Sequence, residues 1–208
     1  MRLESGAIPG KAHLGTYVAP QTLDEELKVT VKISQVDVFN VGMPLVDTFT
    51  SGGVSKNITK CVVVRVTATD GAAGISSIDP SSKAVSPNTA PELTVAIQKL
   101  VGPALIGEDP GNVNRIVELA SKLAPTQPGA SAGVELACVD LICRRMGVAL
   151  HDYLGGAVLD RVLFNGWVGE LPADEAAADA KRWQDAGFKS LKIKVGNVVD
   201  TDSARVMA

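Results

Sequence analysis

Near the end of the chain, two short apolar runs flank a helix-patterned segment, and that order leaves few folds open. Val162 to Val168 is predicted as a strand. Pro172 to Ala186 is predicted as a helix, with Pro172 near its start, Asp174 and Glu175 in the first turn and Gly187 as its stop. Lys189 to Val195 is predicted as the next strand. Strand, helix and strand within about 35 residues make a βαβ unit. Its strands run parallel, and the crossover between them is right-handed.

The second of these strands carries Ser190-Leu191-Lys192-Ile193-Lys194-Val195-Gly196. Side chains alternate across a strand, so Lys192 and Lys194 share one face while Leu191, Ile193 and Val195 share the other. Two neighbouring ammonium groups repel, and a dry face would add a desolvation cost, so both lysines are expected to lose protons more readily. A lysine tuned in this way can act as a general base near neutral pH. A half-buried sheet edge guarded by lysine presents the same pattern.

The rest of the chain narrows the choice. Residues 1–30 hold Gly6, Pro9, Gly10, Gly15 and Pro20 without apolar periodicity and are expected to be an irregular extension. Ile33, Val36, Val38 and Val41 predict a strand ending near Gly42-Met43-Pro44, followed by a polar loop from Asp47 to Gly53. Thr59 to Thr69 is the clearest strand, rich in β-branched residues from Cys61 to Thr67. Asp70-Gly71 marks a hairpin, and Ala72 to Ile78 returns. Such a three-stranded antiparallel meander needs cover.

Helices supply it. One is predicted from Pro91 to Val101, stopping at Gly102-Pro103. A second opens with Asp109 as N-cap and Pro110 in the first turn, and breaks at Pro125. A third, from Ala130 to Met146, is apolar on most sides and expected to be central, with Gly147 as its stop. Within it Glu135 and Asp140 lie about 140° apart around the helix, so ion pairing of Asp140 with Arg144 or Arg145 is preferred over a carboxylate pair. Asp200 or Asp202 begins a last helix.

Several function classes are excluded by composition. A formal charge of −3 gives no basic footprint for nucleic acid. No apolar run reaches the roughly 20 residues of a membrane span, and Met1 to Gly6 lack the apolar core of a secretory signal. The three cysteines, Cys61, Cys138 and Cys143, lie in apolar segments without metal-ligand spacing and are expected to be reduced core residues of a cytoplasmic protein. His13 and His151 are the only histidines, so a histidine-rich metal site is excluded, and His151 is expected to be structural, near a helix end.

A meander, a helical segment and then the first βα units of a parallel sheet resemble the enolase superfamily, in its mandelate racemase and muconate-lactonizing branch. Four stretches carry the likeness in order. They are Met43-Pro44-Leu45 with the loop to Gly53, Val62 to Val66 with Asp70-Gly71-Ala72-Ala73-Gly74, Gly133 to Leu141 through Leu154-Gly155-Gly156, and Gly187-Phe188 with Lys192 to Gly196. Gly74-Ile75-Ser76-Ser77 departs from the aromatic and acidic residues many members carry there.

The resemblance implies an α+β capping domain over 31–156, a three-stranded antiparallel meander plus helices. The start of an α/β (TIM-type) barrel follows over 157–208. A closed barrel needs about 250 residues, so the barrel is expected to be incomplete in this chain. The implied chemistry is removal of the proton α to the carboxylate of a small-molecule substrate, giving an enediolate stabilised by a divalent metal, usually Mg²⁺. Racemase, epimerase, cycloisomerase and acid dehydratase are the implied outcomes. Lys194 would be the acid/base and Lys192 its electrostatic helper. The loop ending at Gly53 would offer Phe49 and Thr50 to the substrate, and Trp167 is similarly placed, although packing between barrel and helices explains Trp167 as well. The family's metal carboxylates lie on later strands, so no metal ligand is assigned. A homo-oligomer is implied for the intact protein. The other reading is a non-catalytic fragment lacking the metal site and second acid/base.

Overall fold

A computed structural model describes residues 31–51, 54–80, 88–196 and 198–208, with only the backbone described at Asp47, Thr50, Ser51 and Val54. The extension over 1–30, His13 included, lies outside the described residues.

Three strands form an antiparallel sheet in the order β1 (Ile33–Ser51), β2 (Val54–Ala68) and β3 (Ala73–Ile78). The β-branched run in β2 explains its central place. Val62, Val64 and Val66 alternate onto one face and are fully buried, while Arg65 points the other way and pairs with Asp37 directly opposite at 2.7 Å. The β2–β3 hairpin closes at Asp70-Gly71 as expected, with Thr67 opposite Ala73.

The loop expected from Asp47 to Gly53 is instead strand up to Ser51. After Pro44, opposite Ile58, the register shifts, and Phe49, Thr50 and Ser51 pair with Lys56, Ser55 and Val54. Backbone pairing across the hairpin carries this polar stretch, and Pro44 is tolerated because β1 is an edge strand.

The helices cover one sheet face. Glu92 accepts hydrogen bonds from the N–H and Oγ of Thr89 and opens α1 (Ala90–Ala96). This helix does not stop at Gly102-Pro103. A π turn over Ile97–Val101 leads into α2 (Gly102–Leu105), with the Gly102 N–H donating to the Ile97 carbonyl. The wider turn admits Pro103, which has no N–H to donate and would crowd the preceding turn of an α-helix.

The next helix, α3 (Val113–Leu123), begins later than expected. Asn112, not Asp109, is its N-cap, accepting from the Arg115 N–H at 3.2 Å, while Asp109 caps Gly111 within the preceding turn. The central α4 (Pro128–Met146) ends at Gly147 as expected and buries Ala130, Val134, Ala137, Cys138 and Leu141. Asp140 accepts from Arg144 Nε and from the Ile75 N–H, both at 2.8 Å, so the expected ion pair also satisfies an amide of edge strand β3. All three cysteines are free and buried, and burial pushes the Cys138 thiol up to about 12.

After the short α5 (Leu150–Tyr153), which carries an exposed His151, comes a second sheet of two parallel strands, β4 (Gly166–Val168) and β5 (Leu191–Ile193), joined by α6 (Ala173–Asp185). The chain closes on α7 (Val199–Met207). Both strands are shorter than expected. The apolar run before Gly166 is not strand: Leu163 and Phe164 are 83% and 77% exposed. Strands form only where a neighbour completes the ladder, and Gly166–Val168 is the part of the run opposite β5.

Candidate functional site

The parallel pair sets Trp167 opposite Lys192, and the Lys194 N–H donates to the Val168 carbonyl at 2.9 Å, carrying the ladder one residue past β5. Both lysines therefore lie at the carboxyl ends of parallel strands, where barrel sites are built. Lys192 is exposed and Lys194 half-buried. The Lys192 ammonium sits 4.9 Å from the centroid of the Trp167 ring, a cation–π distance.

Trp167 is held from two directions. Its carbonyl accepts from Trp183 Nε1 on α6 at 2.8 Å. Its ring stacks on Phe49 with centroids 5.4 Å apart and planes 29° from parallel. Phe49 itself has the Lys56 ammonium 5.7 Å from its centroid. The far end of the β1–β2 hairpin thus reaches the first strand of the parallel sheet through two aromatic rings.

Three residues singled out in the sequence, Phe49, Trp167 and Lys192, are brought together in this way. Thr50 follows Phe49 in the same strand, opposite Ser55, and its side chain lies outside the described residues. An open cleft of about 620 Å³ runs beside the stack, lined by Thr48, Phe49, Trp167, Leu171, Glu175 and Trp183 among others.

Sequence reasoning missed Arg205. It comes from α7 with a side chain only 5% exposed. Its Nε donates to the Leu171 carbonyl at 2.6 Å, and its Nη1 to the Lys194 carbonyl at 3.1 Å and to Asp202 Oδ1 at 2.6 Å. Asp202 Oδ2 accepts from the Gly196 N–H at 2.8 Å. An i, i+3 acid–base pair on a short helix reads as an exposed surface pair, so nothing in the sequence distinguishes it.

Among the described residues, no three His, Cys, Asp or Glu side chains converge in a group able to hold a metal ion. The described residues do not fit a divalent cation. Among them there is also no helix long and apolar enough to cross a membrane.

A capping sheet with helices, followed by a βαβ unit with Lys192 in its second strand and Lys194 just past it, defines a front half of enolase-superfamily architecture. The chain matches the mandelate racemase / muconate lactonizing enzyme N-terminal domain over residues 28–155, and it belongs to that family. It is 30% identical over 178 residues to a hydrophobic dipeptide epimerase of Enterococcus faecalis, covering 86% of this chain and 49% of that protein. To a cis-3-hydroxy-L-proline dehydratase of Roseibium aggregatum it is 28% identical, covering 86% and 49%. The crystal structure of a dipeptide epimerase from Enterococcus faecalis, complexed with Mg and the dipeptide L-Leu-L-Tyr, superposes with a TM-score of 0.80 at 29% identity. It covers 85% of this chain and 49% of that one. The chain spans about half the length of the curated relatives it matches.

Proposed function

We propose that the protein removes the proton α to the carboxylate of a small molecule and returns it, as a racemase or epimerase, with Lys194 as the acid/base. The observation that carries this reading is the placement of Lys192 and Lys194 at the carboxyl end of β5, beside β4. In the reaction, the neutral Lys194 amine takes the α-proton and becomes an ammonium, while the carboxylate gains enediolate character. Lys192, its ammonium over the Trp167 ring, stabilises negative charge on the substrate. Phe49 and Trp167 form an apolar wall next to that cation, a combination suited to a carboxylate with an apolar or aromatic side group. Kinship with epimerases and a dehydratase supports α-proton abstraction as the common step. A Mg²⁺ like that in the Enterococcus faecalis structure would draw its ligands from outside the described residues.

The test is α-hydrogen exchange in D₂O by the intact protein with Mg²⁺, offering L-Leu-L-Tyr, L-Ala-L-Glu and cis-3-hydroxy-L-proline. Deuterium at the α-carbon of one of them, lost in Lys194→Ala, is the expected result. Full-rate exchange by Lys194→Ala, or exchange of none of the three, overturns the reading. A second reading, that the 208-residue chain by itself is non-catalytic, is favoured by the lack of a metal-holding cluster among its described residues. Mg²⁺-dependent turnover by the chain alone would dispose of it.

A further inference from the structure

We infer that Arg205 is the positioning residue for Lys194, clamping the backbone that follows it through a buried ion pair with Asp202 while the β4 ladder holds the backbone before it. The inference rests on Lys194 being the acid/base. The Lys194 N–H is tied to Val168 of β4, its carbonyl to Arg205, and the N–H two residues later to Asp202. With the peptides flanking Lys194 anchored, the direction in which its Cβ leaves the backbone is set, and only the flexible side chain remains to adjust.

The same guanidinium holds the Leu171 carbonyl in the loop that follows β4. One side chain therefore fixes the carboxyl ends of both parallel strands relative to each other. Its planar fork of donors suits this role, since a single ammonium cannot reach two carbonyls and a carboxylate with the same geometry.

Arg205 is 5% exposed and Asp202 14%. A desolvated ion pair is poor value as a source of stability, because apolar residues of similar volume often serve as well or better. What an apolar pair could not do is hold the Lys194 and Leu171 carbonyls and the Gly196 N–H at defined points. Proton transfer is sensitive to such placement, and a displacement of about 1 Å can cost about 100-fold in rate.

The experiment compares Arg205→Gln, Arg205→Lys and Asp202→Asn in the intact protein. Backbone amide exchange, read by mass spectrometry, is expected to quicken at least about tenfold over 190–196 in Arg205→Gln, as expected on losing charge-assisted hydrogen bonds. Segments from β2 and α4 should not change. With L-Leu-L-Tyr in D₂O, kcat for α-exchange should fall about 100-fold while KM stays within about threefold, and Arg205→Lys should recover to within about tenfold of the parent. A purely structural Arg205 would instead raise exchange everywhere, and that result overturns the inference, as does kcat within threefold of the parent.

If Arg205→Gln does not fold, Asp202→Asn decides. It keeps the side-chain volume and leaves Arg205 its carbonyls, so faster exchange over 190–196 with a fall in kcat of about tenfold supports the clamp, and an unchanged kcat refutes it. Lys194→Ala inactive with Arg205→Gln fully active removes the clamp and leaves the proposed function standing. Lys194→Ala fully active removes both.

Discussion

Gly74 lies directly against the backbone of the central helix, and replacing it with alanine should be the most damaging such change among the described glycines. A Cβ at Gly74 would lie 2.2 Å from the Ala137 carbonyl oxygen and from the Leu141 nitrogen, and 2.7 Å from the Leu141 Cα, all backbone atoms of α4. No rotamer relieves contacts with backbone. Restoring even a tight 3.0 Å separation requires α4 to retreat from β3 by about 0.8 Å (3.0 minus 2.2). A gap of 0.5–1 Å forfeits roughly a quarter to a half of each dispersion contact. Val134, Ala137, Cys138 and Leu141 are all fully buried along that helix. The retreat also lengthens two bonds between the elements, Ser76 Oγ to the Gly133 carbonyl at 2.6 Å and the Ile75 N–H to Asp140 at 2.8 Å. Overpacking of about 1–3 kcal/mol, plus partial loss, about 1 kcal/mol, of a bond to a charged group, gives an expected destabilisation of about 2–4 kcal/mol. Gly71→Ala in the same hairpin is the control. Its φ of +86° strains an alanine by about 1–2 kcal/mol, but a Cβ there meets nothing within 4 Å. Urea unfolding followed by circular dichroism measures both. A Gly74→Ala cost no larger than that of Gly71→Ala would refute the packing argument.

Three further outcomes follow from named contacts. Burial raises the Cys138 thiol from 9.0 to about 12, so between those values the unfolded chain releases a proton that the native chain keeps. Stability should therefore fall as pH rises above about 9, by up to about 1.4 kcal/mol per pH unit, and urea midpoints at pH 8 and pH 10 that coincide would contradict this. Asn112→Ala should cost about 1 kcal/mol of stability through loss of the α3 cap, and Asp109→Ala less; the reverse order in urea melts would restore Asp109 as the cap. Phe49→Ala should raise KM for L-Leu-L-Tyr about tenfold through loss of the apolar wall on Trp167, with a smaller change in kcat, and an unchanged KM would remove Phe49 from the substrate site.

What the sequence made legible is what local chemistry decides. The Cys61–Thr67 run, Asp70-Gly71 and the Gly147 stop each carry their own instruction, and the β2–β3 hairpin and α4 appear where expected, while β2 begins at Val54, five residues before the expected Thr59. The parts that were not legible depend on partners far away in the chain. Thr48 to Ser51 look like a loop because they are polar, yet pairing with Val54 to Lys56 makes much of that stretch strand. Val162 to Phe164 look like a strand because they are apolar, yet β5 offers no partner before Gly166. Gly102-Pro103 reads as a stop, and only the π turn lets the helix pass through it. In each case hydrogen bonding overrides composition, since a polar segment with a partner is structure and an apolar one without is not.

The candidate site divides along the same line. Alternation alone proposes Lys192 and Lys194 as neighbours on one face, because a strand's faces follow from its period of two; in the structure Lys192 lies in β5 and Lys194 one residue past it. What surrounds them could not. Trp167 is paired with Lys192 through a parallel ladder that requires α6 to bring the strands together, and Phe49 reaches Trp167 only because the hairpin extends past its register shift. Arg205 joins the group because α7 folds back so that a surface-type i, i+3 pair becomes buried against two carbonyls. The candidate site therefore has a local component, the lysine pair, and a non-local one, the side chains gathered around it. The chain contributes both within one compact unit from Val31 to Ala208, so the geometry of Lys194 is set by contacts that variants of this chain can break one at a time.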